Sequence, residues 1–259
     1  MRAKWLKFSI LPSIKVRVGG QCIAPKTRTT LILDRSTYLF KHKNKNMCFH
    51  SKQTKLALEV ENRFKATIEK KELFKPSIDI NGFDFGINPV ITDENPNLIK
   101  HFNWGLIPSW SKDEDIKKLT LNARIETIDE KPSFKNSINK RCLVIANGFY
   151  EWQWQDSKGK NKIKYEIGIG NEDLFAFAGI YSQWINQSTG EIRDTYSIVT
   201  TQANQLMAEI HNTKKRMPII LKPEDESKWL QHEPINNFAY PYEVNLVAKA
   251  FPSDTLTLW

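Results

Sequence analysis

Cysteine is scarce in this 259-residue chain: Cys22, Cys48 and Cys142 are the whole complement. An odd count of three excludes a disulfide framework and points to a reducing compartment, so the cytoplasm is the expected location. No window approaches the roughly 18 consecutive apolar residues needed to cross a bilayer, so no membrane span is expected. Glycine-rich phosphate loops are missing, which removes support for the dinucleotide-binding and P-loop classes. None of the five histidines pairs with a cysteine at zinc-ligand spacing, so neither a metal nor another cofactor is expected. There is no internal repeat. What remains, 40% apolar and 26% charged residues, is ordinary globular composition.

The net charge of +9 suggests nucleic acid until its distribution is examined. Residues 1–46 carry eleven Lys or Arg against the single acid Asp34, a net of +10. Residues 47–259 hold 27 basic and 28 acidic residues and are close to neutral. Nucleic-acid affinity in the body of the chain must therefore come from a local surface and not from bulk charge. The first 46 residues show no sustained apolar period and fit neither a signal peptide nor a Ser-rich transit peptide. A basic arm, a removable pro-segment and a stretch outside the mature protein stay open as readings. The division expected is a basic extension over 1–46, not part of the mature protein, and one domain over 47–259.

Within that domain Leu56, Val60, Phe64 and Ile68 recur every four residues, which predicts an amphipathic helix between Gln53 and Leu73. Pro76 and Asn81-Gly82 break the pattern. Short apolar stretches from Pro89 to Trp110 predict strands and an ordered loop. The strongest strand runs are Arg141–Ala146, Ile163–Ile169, Leu174–Trp184 and Thr195–Thr200, with hairpin turns at Gly159 and Ser188-Thr189-Gly190. Gln202–Ile210 and Glu224–Leu230, the latter started near Pro223, read as helices. The expectation is a single α+β domain with a mainly antiparallel, barrel-like β core and flanking helices, monomeric by default.

Reactive groups are few. Cys142 lies inside an apolar strand run and reads as a buried, inert thiol, which leaves Cys48 as the better nucleophile. His211 precedes the basic loop Asn212–Arg216; taken alone it reads as a solvated or core histidine rather than a functional one. Glu151, in Gly148-Phe149-Tyr150-Glu151-Trp152, is a carboxylate among aromatics, surroundings that raise a carboxyl pKa and suit proton transfer, although a hydrogen-bonded strand-end Glu fits too. Trp104 and Trp110 bracket a loop with a Gly and a Pro and can either stack on bases or pack a corner. Asn122-Ala123-Arg124 with Glu126-Thr127 gathers an amide, a guanidinium and a carboxylate into a polar site or an exposed face.

In order, Met47-Cys48, the Trp104–Trp110 loop, Asn122-Ala123-Arg124 with Glu126-Thr127, Gly148–Trp152, and His211 with Arg216-Met217-Pro218 resemble the SRAP family, the SOS-response-associated peptidase or abasic-site processing proteins. The resemblance covers essentially all of residues 47–259. It implies binding of single-stranded DNA and covalent capture of a ring-opened abasic-site aldehyde by an N-terminal cysteine as a thiazolidine, with lyase and peptidase activities also described, and an association with the nucleoid during repair. On matching positions, Cys48 supplies amine and sulfur, and Asn122 holds the amine. Glu151 is the general acid/base and His211 aids proton transfer. Arg124 and Arg216 grip phosphates, and Trp104 and Trp110 shape the strand's path. The chemistry requires a free α-amine, because an internal cysteine has only a planar amide nitrogen. Initiation at Met47 and removal of that methionine would expose Cys48.

Two departures stand out. The usual Cys-Gly-Arg start is here Cys48-Phe49-His50, so the arginine is missing and His50 or Lys52 is the substitute. Three extra residues also separate His211 from Arg216 relative to the tighter His-x-Arg-Met-Pro form. Two rival readings compete with DNA capture: an N-terminal-nucleophile cysteine peptidase that trims itself before Cys48, and a non-catalytic single-stranded DNA-binding module.

Overall fold

A computed structural model describes residues 49–251, all within one unit that spans residues 45–259. Cys22, Cys48 and the basic extension lie outside the described residues. The described residues begin with β1 (His50–Gln53), helix α1 (Ala57–Phe64), β2 (Thr67–Ile68) and β3 (Ser77–Asn81). The hairpin of β4 (Ile87–Thr92) and β5 (Asn95–Trp104) follows, then a loop to the short β6 (Asn122–Arg124). Next come β7 (Arg141–Ala146), β8 (Gly148–Trp154), β9 (Lys162–Gly168), β10 (Phe175–Ile185) and β11 (Ile192–Gln202). Helix α2 (Gln205–Ile210), β12 (Arg216–Pro218), β13 (Ile220–Leu221), helix α3 (Glu226–Leu230) and β14 (Val247–Phe251) complete them.

Five strands close on themselves. β11 pairs with β10, β10 with β7, β7 with β4 and β4 with β5, all antiparallel, and β5 returns to β11 in parallel through Thr195–Asn103 and Tyr196–Trp104. The expected barrel-like, mainly antiparallel core is therefore present. Every residue of β7 is buried, and its two faces serve different clusters: Leu143 and Ile145 one, Cys142, Val144 and Ala146 the other. A strand covered on both sides reads as a continuous apolar run, which is why this segment was legible. Gly179 of β10 lies opposite Cys142, and a Cβ there would stand 2.7 Å from the Cys142 Sγ.

A second sheet, in the order β14-β9-β8-β1-β3 and antiparallel throughout, carries the site. The β8–β9 hairpin turns at Gly159, whose φ of +63° suits glycine and whose missing side chain leaves room for the Trp154 indole lying across the turn.

The helix expected between Gln53 and Leu73 is a correction. Gln53 closes β1, and α1 is only eight residues long, ending where Lys65 turns into the left-handed region at φ 52°. Leu56 is an exposed N-cap whose N–H donates to Glu59, and Val60 is the one residue of α1 that is fully buried. Ile68 instead sits in β2, paired in parallel with Ile99 of β5. A single helical turn gains less than a buried strand pairing, so the period of four was broken by tertiary contact. The later helices start slightly after their predicted positions. Asn204 caps α2 by accepting from the Met207 N–H at 2.9 Å, and a short 3₁₀ turn at Pro223–Asp225 precedes α3.

Candidate active site

Strand alternation sorts the β8 motif into two faces. Phe149 is fully buried in the core, and Glu151, two residues on, is 5% exposed on the same face. Tyr150, Trp152 and Trp154 point the other way. Across from Glu151, α2 buries Met207 and Ile210 and ends at His211, which is 3% exposed. Gln153 donates to the Glu209 carbonyl at 3.0 Å. Asn212 accepts from the Trp154 N–H and donates to its carbonyl, at 3.2 and 2.8 Å. Strand and helix end are thus fastened at three points, which holds Glu151 Oε1 3.9 Å from His211 Nδ1.

His211 Nδ1 is 2.9 Å from the Arg216 carbonyl oxygen. A carbonyl only accepts, so Nδ1 carries a proton and the neutral ring has its lone pair on Nε2. The extra residues between His211 and Arg216 form a turn, with the Lys215 N–H donating to the His211 carbonyl at 2.8 Å and Lys215 at φ 51°. The longer spacing therefore loops outward and leaves the imidazole against the Arg216 backbone.

The carboxylate and the imidazole reach solvent through a pocket of about 270 Å³ whose rim includes Phe83, Trp152, Trp154 and Lys162. Another concavity, about 320 Å³, opens near Gln53 and His101 and shares no lining residue with it. Burial there pushes the His101 imidazole below its ordinary value. Among the described residues no group of three or more His, Cys, Asp or Glu side chains is placed to hold a metal ion.

The Arg216 guanidinium is buried and forked onto Glu126, with Nη1 and Nη2 at 2.6 and 2.9 Å from the two carboxylate oxygens. Nη2 also donates to the Thr200 carbonyl at 2.7 Å. Thr200 belongs to β11, which pairs with β6 at Arg124 and with β12 through Pro218, so the ion pair ties the two strands flanking β11. Burial by itself would raise the Glu126 carboxyl. The hydrogen bonds from Arg216 and from its own backbone amide, with the charges of Arg216 and Arg124, outweigh burial and hold it below its ordinary value.

A family model described as SOS response associated peptidase (SRAP) matches residues 47–258. The chain belongs to the SRAP family. It is 45% identical over 142 residues to the abasic site processing protein YoqW of Bacillus subtilis, covering 54% of this chain and 61% of that protein. It is 36% identical over 167 residues to the abasic site processing protein HMCES of Mus musculus, covering 53% of this chain and 46% of that protein. The matches thus span about three fifths or less of these relatives' own length. A crystal structure of a Bacteroides thetaiotaomicron protein superposes with a TM-score of 0.73 at 38% identity, covering 80% of this chain and 93% of that one. A Bordetella bronchiseptica structure shares the fold at a TM-score of 0.67 and 23% identity, over 79% and 99% of the two chains.

In this SRAP chain the structure brings together Glu151 and His211, the latter touching the Arg216 backbone. Asn122 is buried on β6, and Arg124 beside it is exposed. Arg216 reaches Glu126 and not open solvent. Trp104 is a correction: at 1% exposure, with its Nε1 donating to the Leu121 carbonyl at 2.8 Å and its ring stacked on Tyr196, it is core and offers no face to a base. Trp110 is 51% exposed. Of the two substitutes for the missing arginine, Lys52 is committed to Glu166 at 2.5 Å and Glu172 at 3.3 Å, and His50 Nδ1 lies 2.7 Å from Asp79. Cys48 lies outside the described residues. Sequence reading missed Trp154, Asn212 and Lys162. The two-residue step from Trp152 to Trp154 was the available signal for the first, whereas Asn212 and Lys162 matter only through the turns that bring them to β8.

Proposed function

We propose that this chain processes abasic sites in single-stranded DNA, with Cys48 capturing the ring-opened aldehyde. The observation that carries the reading is the buried Glu151–His211 pair at an open pocket walled by indoles. A carboxyl and an imidazole held that close supply both a proton donor and a proton acceptor to a carbonyl centre. The names of the relatives YoqW and HMCES supply the substrate.

The chemistry balances without a cofactor. The α-amine of Cys48, with a pKa of about 8 once freed, adds to the aldehyde carbon, and loss of water gives an imine. The Cys48 sulfur then adds to the same carbon, the imine nitrogen takes a proton, and a five-membered thiazolidine results. Glu151 protonates the departing hydroxyl, and His211 Nε2 relays protons at the sugar. Asn122 orients the amine. Arg124, exposed next to it, meets a phosphate, and Arg216 acts through Glu126 and its hold on His211. The reaction requires Cys48 to be the first residue, hence initiation at Met47 with removal of that methionine.

The test is incubation with an oligonucleotide carrying one abasic site, followed by denaturing electrophoresis and intact-mass analysis. A heat-stable adduct with loss of one water, absent from Cys48→Ala, is expected from protein made from the native gene and starting at Cys48. Salt-sensitive binding with no adduct would refute capture. Trimming that persists in a Cys48→Ala precursor would argue against self-cleavage.

A further inference from the structure

The outward face of the second sheet bears a repeating arrangement of rings and lysines that starts at the pocket rim, with Trp152, Trp154 and Lys162, and runs on beyond it. Trp152 of β8, Lys164 of β9 and Phe251 of β14 are register partners in adjacent strands, and so form one row across the sheet. The Lys164 ammonium stands 3.9 Å from the centre of the Tyr150 ring and 5.6 Å from that of Trp152. Lys162 lies 5.1 Å from the Trp154 ring centre, and Lys249 5.9 Å from that of Phe251. Glu166, on the same face, is neutralised by Lys52. Trp152, Lys162 and Lys164 are half-buried, while Phe251 and Lys249 are exposed.

Rings with cations beside them, continuous with the pocket through Trp152, match what a single strand presents: flat bases and a phosphate at every step. We propose that this row is a track for the DNA strand leading away from the pocket, with bases on Trp152 and Phe251 and phosphates on Lys164 and Lys249. The identity of the strand rests on the abasic-site reading. The track would account for DNA affinity in a body whose overall charge is near zero. The competing role for Lys249 is protection of the exposed edge strand β14 from pairing with other chains.

Two arms test it on the full chain. In the first, fluorescence anisotropy follows an undamaged oligothymidylate of about 16 nucleotides, the upper end of site sizes for stacking folds. The double variant Lys164→Ala, Lys249→Ala should flatten the slope of log affinity against log salt by about 1.4, from about 0.7 per lost single-strand phosphate contact. Phe251→Ala should weaken binding at least about fivefold. In the second arm, adduct formation on an abasic oligonucleotide of about four nucleotides should proceed at the wild-type rate in all variants, which also shows that they are folded. Unchanged slope and affinity on the long strand, or no wild-type binding to it, would overturn the track. Failure of the wild type to form adducts, with the first arm as expected, would overturn the abasic-site reading and keep the track.

Discussion

Arg216 and Glu126 lie ninety residues apart and meet in a forked ion pair, so a double-mutant cycle over Arg216→Gln, Glu126→Gln and the pair measures what that contact is worth. A fully buried pair broken on one side costs about 3–5 kcal/mol, and an exposed pair contributes about 0–1 kcal/mol. The Arg216 side chain is 11% exposed and that of Glu126 44%, so solvent screens one end only. We therefore expect a coupling energy of about 1–2 kcal/mol. Arg216→Gln should cost more than Glu126→Gln, because it also leaves the Thr200 carbonyl without its 2.7 Å donor. In a chain of this size about 2 kcal/mol lowers Tm by roughly 4–8 °C. The coupling also has a pH signature. The folded carboxyl is held below its ordinary value of 4.5, so the unfolded chain takes up the proton first. The stabilisation is fully present above pH 4.5 and is lost as pH falls through the folded value. Urea unfolding of the four proteins at neutral pH and near pH 3 is the assay. A coupling under about 0.3 kcal/mol at neutral pH, or one unchanged in acid, would show that the pair does not hold the strands flanking β11.

Glu151→Gln, which keeps the shape and loses the proton, should slow adduct formation by about 10²–10⁴-fold with little change in DNA affinity; equal losses in both would mean a structural role. Gly179→Ala should destabilise by about 1–3 kcal/mol, since the new methyl meets Cys142 Sγ at 2.7 Å and Val144 Cγ2 at 2.9 Å, and an unchanged melting curve would contradict the close packing of β7 on β10. Burial, and secondarily the Asp93 charge, pushes the Cys142 thiol well up, so alkylation followed by peptide mapping should label Cys142 only in denaturant. Labelling of Cys142 in the native protein would refute its placement.

Several elements were written into the chain locally. The run Arg141–Ala146 is apolar because both faces of β7 are covered, and the turns at Gly159 and Gly190 take positive φ that glycine supplies without strain. Pro223 marked a helix start through its own backbone chemistry, whereas the Asn204 cap that starts α2 at Gln205 was not read from the sequence, which placed the start at Gln202. The period from Leu56 to Ile68 misled, because the pairing partner of Ile68 is Ile99, and nothing in a window around Ile68 records it. The candidate site divides in the same way. The order of motifs singled out Glu151 and His211. That they stand 3.9 Å apart, that Trp104 is core, and that Arg216 is spent on Glu126 were settled by strand alternation on β8, closure of β5 onto β11 and the pairings of β11. Sequence determines what a segment does against its immediate neighbours and solvent. Which distant side chains become partners depends on how sheets close, and that is a property of the whole chain.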